Sequence, residues 1–392
     1  MSAGQRILDL PAAATNSRQL GDSDGADSAD LQYVADEMPG IRRRRHGKGF
    51  VYHGPRGEPL SRAGDLAKDL ARIRALAIPP AWTDVWICPV ANGHIQATGR
   101  DARGRKQYRY HARFREAREG TKYEHLIAFA HALPAIRSKV REHMALRGLP
   151  RQKVLATTVQ LLESTLIRIG NSDYARQNNS YGLTTLKGRH VTIDGSDIRF
   201  RFTGKGGKQW MLKVRDRRIA KVIRACQELP GQELLRYVDE AGGPQSVSSG
   251  DVNAYLREIT GRDITAKDFR TWAGTVQAAL ALDKLGAFDS ASQAKRNVRA
   301  AMEQVAGRLG NTATICRKCY VHPRLLASYL GGSLDLGLSA RSENDSVEQT
   351  AALAPEEAAV LAFLEAGPSQ EMPEQPPILP VNRKQRHSAL AA

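Results

Sequence analysis

The spacing of apolar residues divides the chain into stretches of different period. In VLATTVQLLESTLIRIG, Leu155, Val159, Leu162, Leu166 and Ile169 recur every three or four residues. That spacing puts them on one helical face and predicts a helix closed by Gly170. The period then drops to two. His190–Ile193 leads into Asp194-Gly195, a pair suited to a tight hairpin turn. Beyond it Ile198, Phe200 and Phe202 alternate with Arg199 and Arg201. After Gly204-Lys205-Gly206-Gly207, Trp210, Leu212 and Val214 alternate with Met211 and Lys213. A three-stranded antiparallel sheet is predicted, with Lys205 at a hairpin tip. Helical spacing resumes in RRIAKVIRACQEL, in SSGDVNAYLREIT, in the alanine-rich stretch after Arg270 and in SQAKRNVRAAMEQVAGRLG.

Toward the N-terminus the signals are shorter. FVYH, VWICPV and HIQATG are β-type runs punctuated by Gly, Pro and Asn, and DLAKDLARIRALA reads as a helix closed by Pro79-Pro80. The preceding Arg42-Arg43-Arg44-Arg45 reads as a flexible basic arm. Residues 1–40 are acidic, small and non-periodic, as expected of a disordered tail, and residues 339–392 form a second, low-complexity tail with room for a short helix at Glu356–Glu365. The predicted organisation is α+β: a small strand-rich domain over 41–118 and a mainly helical domain over 119–338 containing the three-stranded sheet.

Charge narrows the class of partner. Lys and Arg total 58 against 41 Asp and Glu, a net +17. Residues 1–40 carry two basic and seven acidic residues, and residues 340–392 carry four and eight, so the segment between them holds +26. A folded region with that surplus suits a polyanion, most simply nucleic acid. No run of about 18 apolar residues occurs, and the first twenty residues lack the pattern of a secretory leader. Four cysteines in so long a chain make no disulfide framework, which points to a reducing cytoplasm.

Some chemistries are not indicated. There is no GxxxxGK[ST] loop for ATP, no HExxH and no clustered acidic motif for paired metals. Cys316 and Cys319 are spaced like zinc ligands, but Cys88 and Cys226 supply no second close pair. Neither cofactor nor metal is expected. Phosphoryl transfer remains open to a basic protein that supplies a nucleophile, cations for the non-bridging oxygens and a proton donor for the leaving oxygen. Arginine suits the oxygens through its planar, permanently charged fork. A tyrosine nucleophile would conserve the energy of the broken bond in a phosphotyrosyl link, so that resealing requires no ATP.

Against that background, LIRIGNSDYARQNNSYGLTTL, FTGKGGKQW, ITAKDFRTWAGT and LGNTATICRKCYVHP closely resemble the catalytic motifs of type IB DNA topoisomerases, chiefly the compact bacterial and poxvirus forms. LAIPPAWTDVWICP and GHIQATGRDARGRKQYRYH resemble the DNA-clamping domain of that group. The likeness covers roughly residues 41–330, with the motifs in the family's order. It implies two domains clamped about duplex DNA and single-strand cleavage through a 3′-phosphotyrosyl intermediate. Strand rotation and religation would then relax both positive and negative supercoils without ATP or metal.

Carried over by position, Arg168 and Arg270 match the arginines that hold the scissile phosphate. Lys205 matches the general acid for the 5′-oxygen, and Tyr320 matches the nucleophile. Asn311 stands where many relatives have histidine; its NH₂ can still donate to a non-bridging oxygen, without charge. Taken singly these residues have ordinary readings, such as a helix-end cation for Arg168 or an ion pair with Asp268 for Arg270. It is their joint occurrence within the motifs that points to catalysis. Arg105, Lys106, Gln107, Tyr108 and Tyr110 resemble the family's major-groove segment, with an alternating strand whose tyrosines pack inward as the other reading. Tyr174 resembles a backbone-contacting position. The resemblance further implies a monomer acting on double-stranded DNA in the cytoplasm, at the nucleoid. Two alternatives differ in testable ways. A tyrosine recombinase shares the chemistry but usually has histidine three residues before the second arginine, where this chain has Lys267. A non-catalytic DNA-binding relative finds its support in Asn311.

Overall fold

The computed structural model describes residues 30–60, 66–102, 104–338 and 353–366. The expected tails therefore lie outside the described residues over 1–29, 339–352 and 367–392. The chain divides into two compact units at Glu124/His125, inside a long helix rather than at residue 118.

The first unit is built on a five-stranded antiparallel sheet. Its strands are β1 (Ile41–His46), β2 (Gly49–His53), β3 (Thr83–Ile87), β4 (Ile95–Arg100) and β5 (Lys106–Tyr110), in the order β2-β1-β3-β4-β5. Helix α1 (Leu66–Ala75) supplies Ile73 to a core with Ile41, Val85, Ile87 and Ala97. The alternation within β3 and just beyond it sends Trp86 and Cys88 to a second cluster with Val34.

Two expectations are corrected here. The Arg42–Arg45 run is strand β1, not a flexible arm. Arg43 donates to the carbonyls of Ile78, Pro79 and Trp82 at 2.7–3.2 Å and lies 4.2 Å from the Phe50 ring centroid. Residues 30–40 are likewise folded. Leu31 and Val34 are buried, Val34 N–H donates to His94 Nδ1 at 3.1 Å, and Asp36 accepts from Thr98 at 2.7 Å.

In the second unit, α2 (Ala112–Met144), which begins before the division, is followed by α3 (Arg151–Thr165) and α4 (Ser172–Asn178). Next come β6 (Val191–Asp194), β7 (Asp197–Thr203) and β8 (Gln209–Arg215), then α5 (Arg217–Glu228), a small hairpin of β9 (Arg236–Val238) and β10 (Pro244–Ser246), α6 (Ser249–Thr260), α7 (Ala266–Leu285), α8 (Ala291–Leu309), α9 (Ala313–Cys319) and α10 (Pro323–Leu330). Helix α3 is the centre: Val154, Leu155, Val159 and Leu162 are fully buried, and it packs against α5, α6, α7 and β8.

The three-stranded sheet has the expected antiparallel order, and its register puts Phe202 opposite Trp210. Ile198, Phe200, Phe202 and Trp210 face the core, while Arg199, Arg201, Met211 and Lys213 face solvent. Helix α3 stops five residues short of Gly170. Leu166 adopts a left-handed conformation (φ 56°), and Thr165 turns its hydroxyl back to Leu161 O at 2.6 Å and accepts from Ile167 N–H at 3.3 Å. The apolar spacing continues past this break because Leu166 and Ile167 are also buried, but they lie on a segment leaving the helix.

Part of the expected C-terminal tail is folded as α11 (Pro355–Glu365), which packs on α7. Ala359, Val360, Leu361 and Leu364 are buried. Glu357 accepts from both terminal nitrogens of Arg137 at 2.8 and 2.9 Å and from Trp272 Nε1 at 3.1 Å. Arg324 donates to Leu364 O at 2.8 Å and lies 4.9 Å from the Phe363 ring centroid.

Candidate active site

Three capped segments meet at one end of α7. The first is the stretch released by the left-handed Leu166, which carries Arg168. The second is the turn between α8 and α9: Gly310 ends α8 with φ 63°, Asn311 follows, and Thr312 caps α9 by accepting from Ile315 N–H. The third is the end of α9, where Tyr320 is the C-cap and donates its N–H to Cys316 O at 2.9 Å.

Arg270, on the first turns of α7, ties these segments together. It is only 3% exposed. One terminal nitrogen donates to Leu166 O, two residues before Arg168, and the other donates to Leu309 O at 2.7 Å, two residues before Asn311. Its guanidinium carbon sits 5.2 Å from the Tyr320 ring centroid. Hydrogen bonds from a charged donor to backbone carbonyls contribute about 1.5–3 kcal/mol each, so Arg270 is a structural staple as well as a charge.

Burial pushes the Arg270 pKa down; a Tyr320 phenolate opposes that shift and nearby Arg168 adds to it. A guanidinium starts so high that it stays protonated. Arg168 donates to Asn311 Oδ1, which leaves Asn311 Nδ2 buried with no hydrogen-bond partner among the described residues. Arg270 Nε is also buried and unpartnered among them. Two neighbouring cations and an orphaned amide donor form an arrangement that an oxyanion would relieve. Cys316 is buried nearby, and burial raises its thiol pKa, so it remains a neutral packing group.

The Tyr320 backbone is fastened to α7. Thr275 Oγ1 accepts from His322 N–H at 3.1 Å; its single hydrogen goes to Thr271 O at 2.9 Å, with Tyr320 O a longer alternative acceptor at 3.4 Å. A Cβ at Gly274 would lie 2.6 Å from Tyr320 O, so only glycine permits this approach. Gly274 and Thr275 were not among the expected site residues. The WAGT segment contains them, but their role emerges only from the distance between two elements.

The structure thus brings Arg168, Arg270, Asn311 and Tyr320 together. Lys205 is placed differently. It lies on the exposed end of the β7–β8 hairpin, and its Nζ is 5.9 Å from the ring centroid of Tyr174 on α4. No contact among the described residues joins it to Tyr320.

In the first unit, Arg105 pairs with Asp101 at 2.6 Å, Lys106 with Asp36 at 2.8 Å, and Gln107 donates to Asp101 at 3.0 Å. Tyr108 is 42% exposed and stacks on Tyr110 at 5.9 Å. Tyr110 packs inward, 5.4 Å from Phe114. Of the two tyrosines Tyr108 is the more exposed, with the Lys106 ammonium 5.5 Å from its ring centroid. A cavity of about 540 Å³, lined in part by Asn171, Tyr181, Lys187 and Ser248, contains none of the five expected catalytic residues.

Comparison with known proteins decides the family. Residues 111–330 match the catalytic core of eukaryotic DNA topoisomerase I, and residues 49–101 match the N-terminal domain of bacterial DNA topoisomerase IB. The chain belongs to the type IB DNA topoisomerase family. The DNA topoisomerase 1B of Acanthamoeba polyphaga mimivirus is 32% identical over 300 residues, covering 74% of this chain and 88% of that protein. The DNA topoisomerase 1B of vaccinia virus (strain Copenhagen) is 20% identical over 231 residues, covering 58% of this chain and 70% of that protein. As a type IB topoisomerase the chain is an isomerase acting on DNA. The matched core takes in all four clustered side chains and the Lys205 hairpin. Among the described residues no helix is long and apolar enough to cross a membrane.

Proposed function

We propose that this topoisomerase cleaves one strand of duplex DNA with the Tyr320 hydroxyl, lets it rotate, and reseals it, relaxing supercoils of either sign without ATP or metal. The observation that carries the reading is the Arg270 guanidinium, packed on the Tyr320 ring and bonded to the backbone beside Arg168 and Asn311.

The phenolic oxygen, giving up its proton to solvent water, attacks phosphorus. The P–O5′ bond breaks, and the 5′-oxygen takes a proton from Lys205. Arg168, Arg270 and the unpartnered Asn311 amide receive the non-bridging oxygens, where the developing charge is greatest. Religation runs the same steps backward. Because Lys205 stands on an exposed hairpin beside Tyr174, bound DNA is proposed to bring its ammonium to the leaving oxygen. The strand bearing Tyr108 is proposed to lie along the duplex, with DNA phosphates taking over Arg105 and Lys106 from their carboxylates. The enzyme is further proposed to work as a monomer in the cytoplasm, on nucleoid DNA.

Plasmid relaxation in EDTA without ATP, combined with denaturing capture of the protein–DNA adduct, tests the reading. Tyr320→Phe is expected to abolish the adduct and relaxation while leaving DNA binding within about twofold. A persisting adduct would reveal another nucleophile and overturn the assignment.

A further inference from the structure

Lys205 and the Tyr320 cluster lie on different elements, yet one side chain touches both supports. Trp210, on β8, is 6% exposed and stacks on Phe202 across the hairpin, with centroids 6.0 Å apart and rings within 2° of parallel. Its five-membered ring lies against Gly204, the residue before Lys205. A Cβ there would sit 2.5 Å from Nε1 and 2.7 Å from Cδ1. Its six-membered ring lies against Gly310, the residue before Asn311. A Cβ there would sit 2.9 Å from Cη2 and closer still to Cζ2. The indole therefore fills the whole gap between the two backbones.

Two further observations make this contact specific. Gly204 has an extended backbone (φ −95°, ψ −173°) open to any residue, so its own conformation does not require glycine. Gly204 N–H donates to Lys208 O at 2.7 Å and Gly207 N–H to Gly204 O at 3.1 Å, so the base of the loop is closed and its position is passed on to Lys205. On the other side, Gly310 is fixed as the left-handed cap of α8, and Arg270 holds the neighbouring Leu309 carbonyl. Trp210 thus rests against the capped end of α8 at Gly310 and meets the loop at Gly204.

We infer that Trp210 is a positioning residue, a spacer that sets the distance from the Lys205 hairpin to the Asn311–Tyr320 cluster. The inference rests on the proposed role of Lys205 as proton donor. A phenyl ring can keep the stack on Phe202 but is too short to touch both glycines, so Trp210→Phe lets the hairpin drift. Gly204→Ala perturbs the same contact from the loop side without backbone strain.

The test uses single-turnover cleavage by the full chain on two DNAs. One carries the ordinary scissile phosphodiester; the other has sulfur in place of the bridging 5′-oxygen. A thiolate leaves without needing a proton, so a defect confined to proton delivery disappears with the sulfur DNA. Trp210→Phe and Gly204→Ala should each slow cleavage of the oxygen DNA on the order of 10-fold or more, since misplacing a reacting group by about 1 Å costs about 100-fold. With the sulfur DNA both should come within about twofold of the wild type. Equal losses on both DNAs would overturn the inference by making Trp210 a general support of the cluster, and so would the absence of any loss. Lys205→Ala separates the two claims. If sulfur fails to rescue it, the proton-donor reading itself fails; if sulfur rescues Lys205→Ala but neither other variant, only the spacer inference fails. Gly204→Ala keeps the question answerable should Trp210→Phe fold poorly.

Discussion

Replacing Gly274 by alanine sets two opposing effects against each other. Gly274 lies inside α7, where alanine favours the helix over glycine by about 1 kcal/mol. The new methyl carbon, however, would lie 2.6 Å from Tyr320 O and 3.2 Å from both Tyr320 Cβ and Leu309 Cδ1. Ordinary contact begins near 3.4 Å, so the Tyr320 backbone must retreat by about 0.8 Å. Overpacking of this kind costs about 1–3 kcal/mol, which leaves a net loss of about 0–2 kcal/mol. The melting temperature should fall by only a few degrees, at about 2–4 °C per kcal/mol for a unit of this size. Catalysis should suffer far more. The retreat moves Tyr320, the proposed nucleophile, relative to Arg270 and strains the bond from His322 N–H to Thr275 Oγ1. A displacement approaching 1 Å corresponds to about 10- to 100-fold in rate. Single-turnover adduct formation on nicked or suicide duplexes, alongside a thermal melt, measures both effects. Wild-type cleavage in a folded Gly274→Ala protein would refute the claim that this contact sets the position of Tyr320.

The remaining expectations concern charge. Asn311→Ala removes the orphaned donor and the acceptor for Arg168, and adduct formation should slow by about 100- to 1,000-fold in a rate assay with DNA affinity nearly unchanged. The hydrogen bond to Asp268 at 3.3 Å raises the His125 pKa above 6.5 despite the opposing effect of burial. Its contribution to stability is therefore full below pH 6.5 and lost as pH rises through the folded value, and thermal melts of His125→Gln across that range should lack the decline. Finally, DNA affinity should weaken steeply with salt, log K falling by about 0.9 per phosphate neutralised for each unit of log salt; a flat titration would count against phosphate-dominated binding.

Residues that act through chemical identity were legible in the sequence, and those that act through proximity were not. The alternation around Arg199 and Arg201 revealed the sheet and its hairpin, because a period of two fits little besides a strand with one face buried. The motifs around Arg168, Arg270, Asn311 and Tyr320 could be aligned by order along the chain. By contrast, the end of α3 at Thr165 was hidden, because Leu166 and Ile167 stay buried after the helix ends and prolong its apparent period. Strand β1 was masked by four consecutive arginines, and only the carbonyls of Ile78, Pro79 and Trp82 account for the one that turns inward. Leu31 and Val34 were lost among acidic neighbours. Gly204, Gly274 and Gly310 look like ordinary glycines until the tryptophan or tyrosine they accommodate is seen against them.

The docking of α11 bears on how the enzyme matures during translation. The wall behind α7 includes Glu357, Val360 and Leu364, so it cannot close until residue 366 has cleared the ribosome. Until then Arg137 keeps its pair with Glu163 but lacks the one with Glu357. A nascent chain already long enough to contain Tyr320 would thus lack a finished support for the helix that bears Arg270. Under the proposed mechanism, cleavage would then await the docking of α11 onto the helix that bears Arg270.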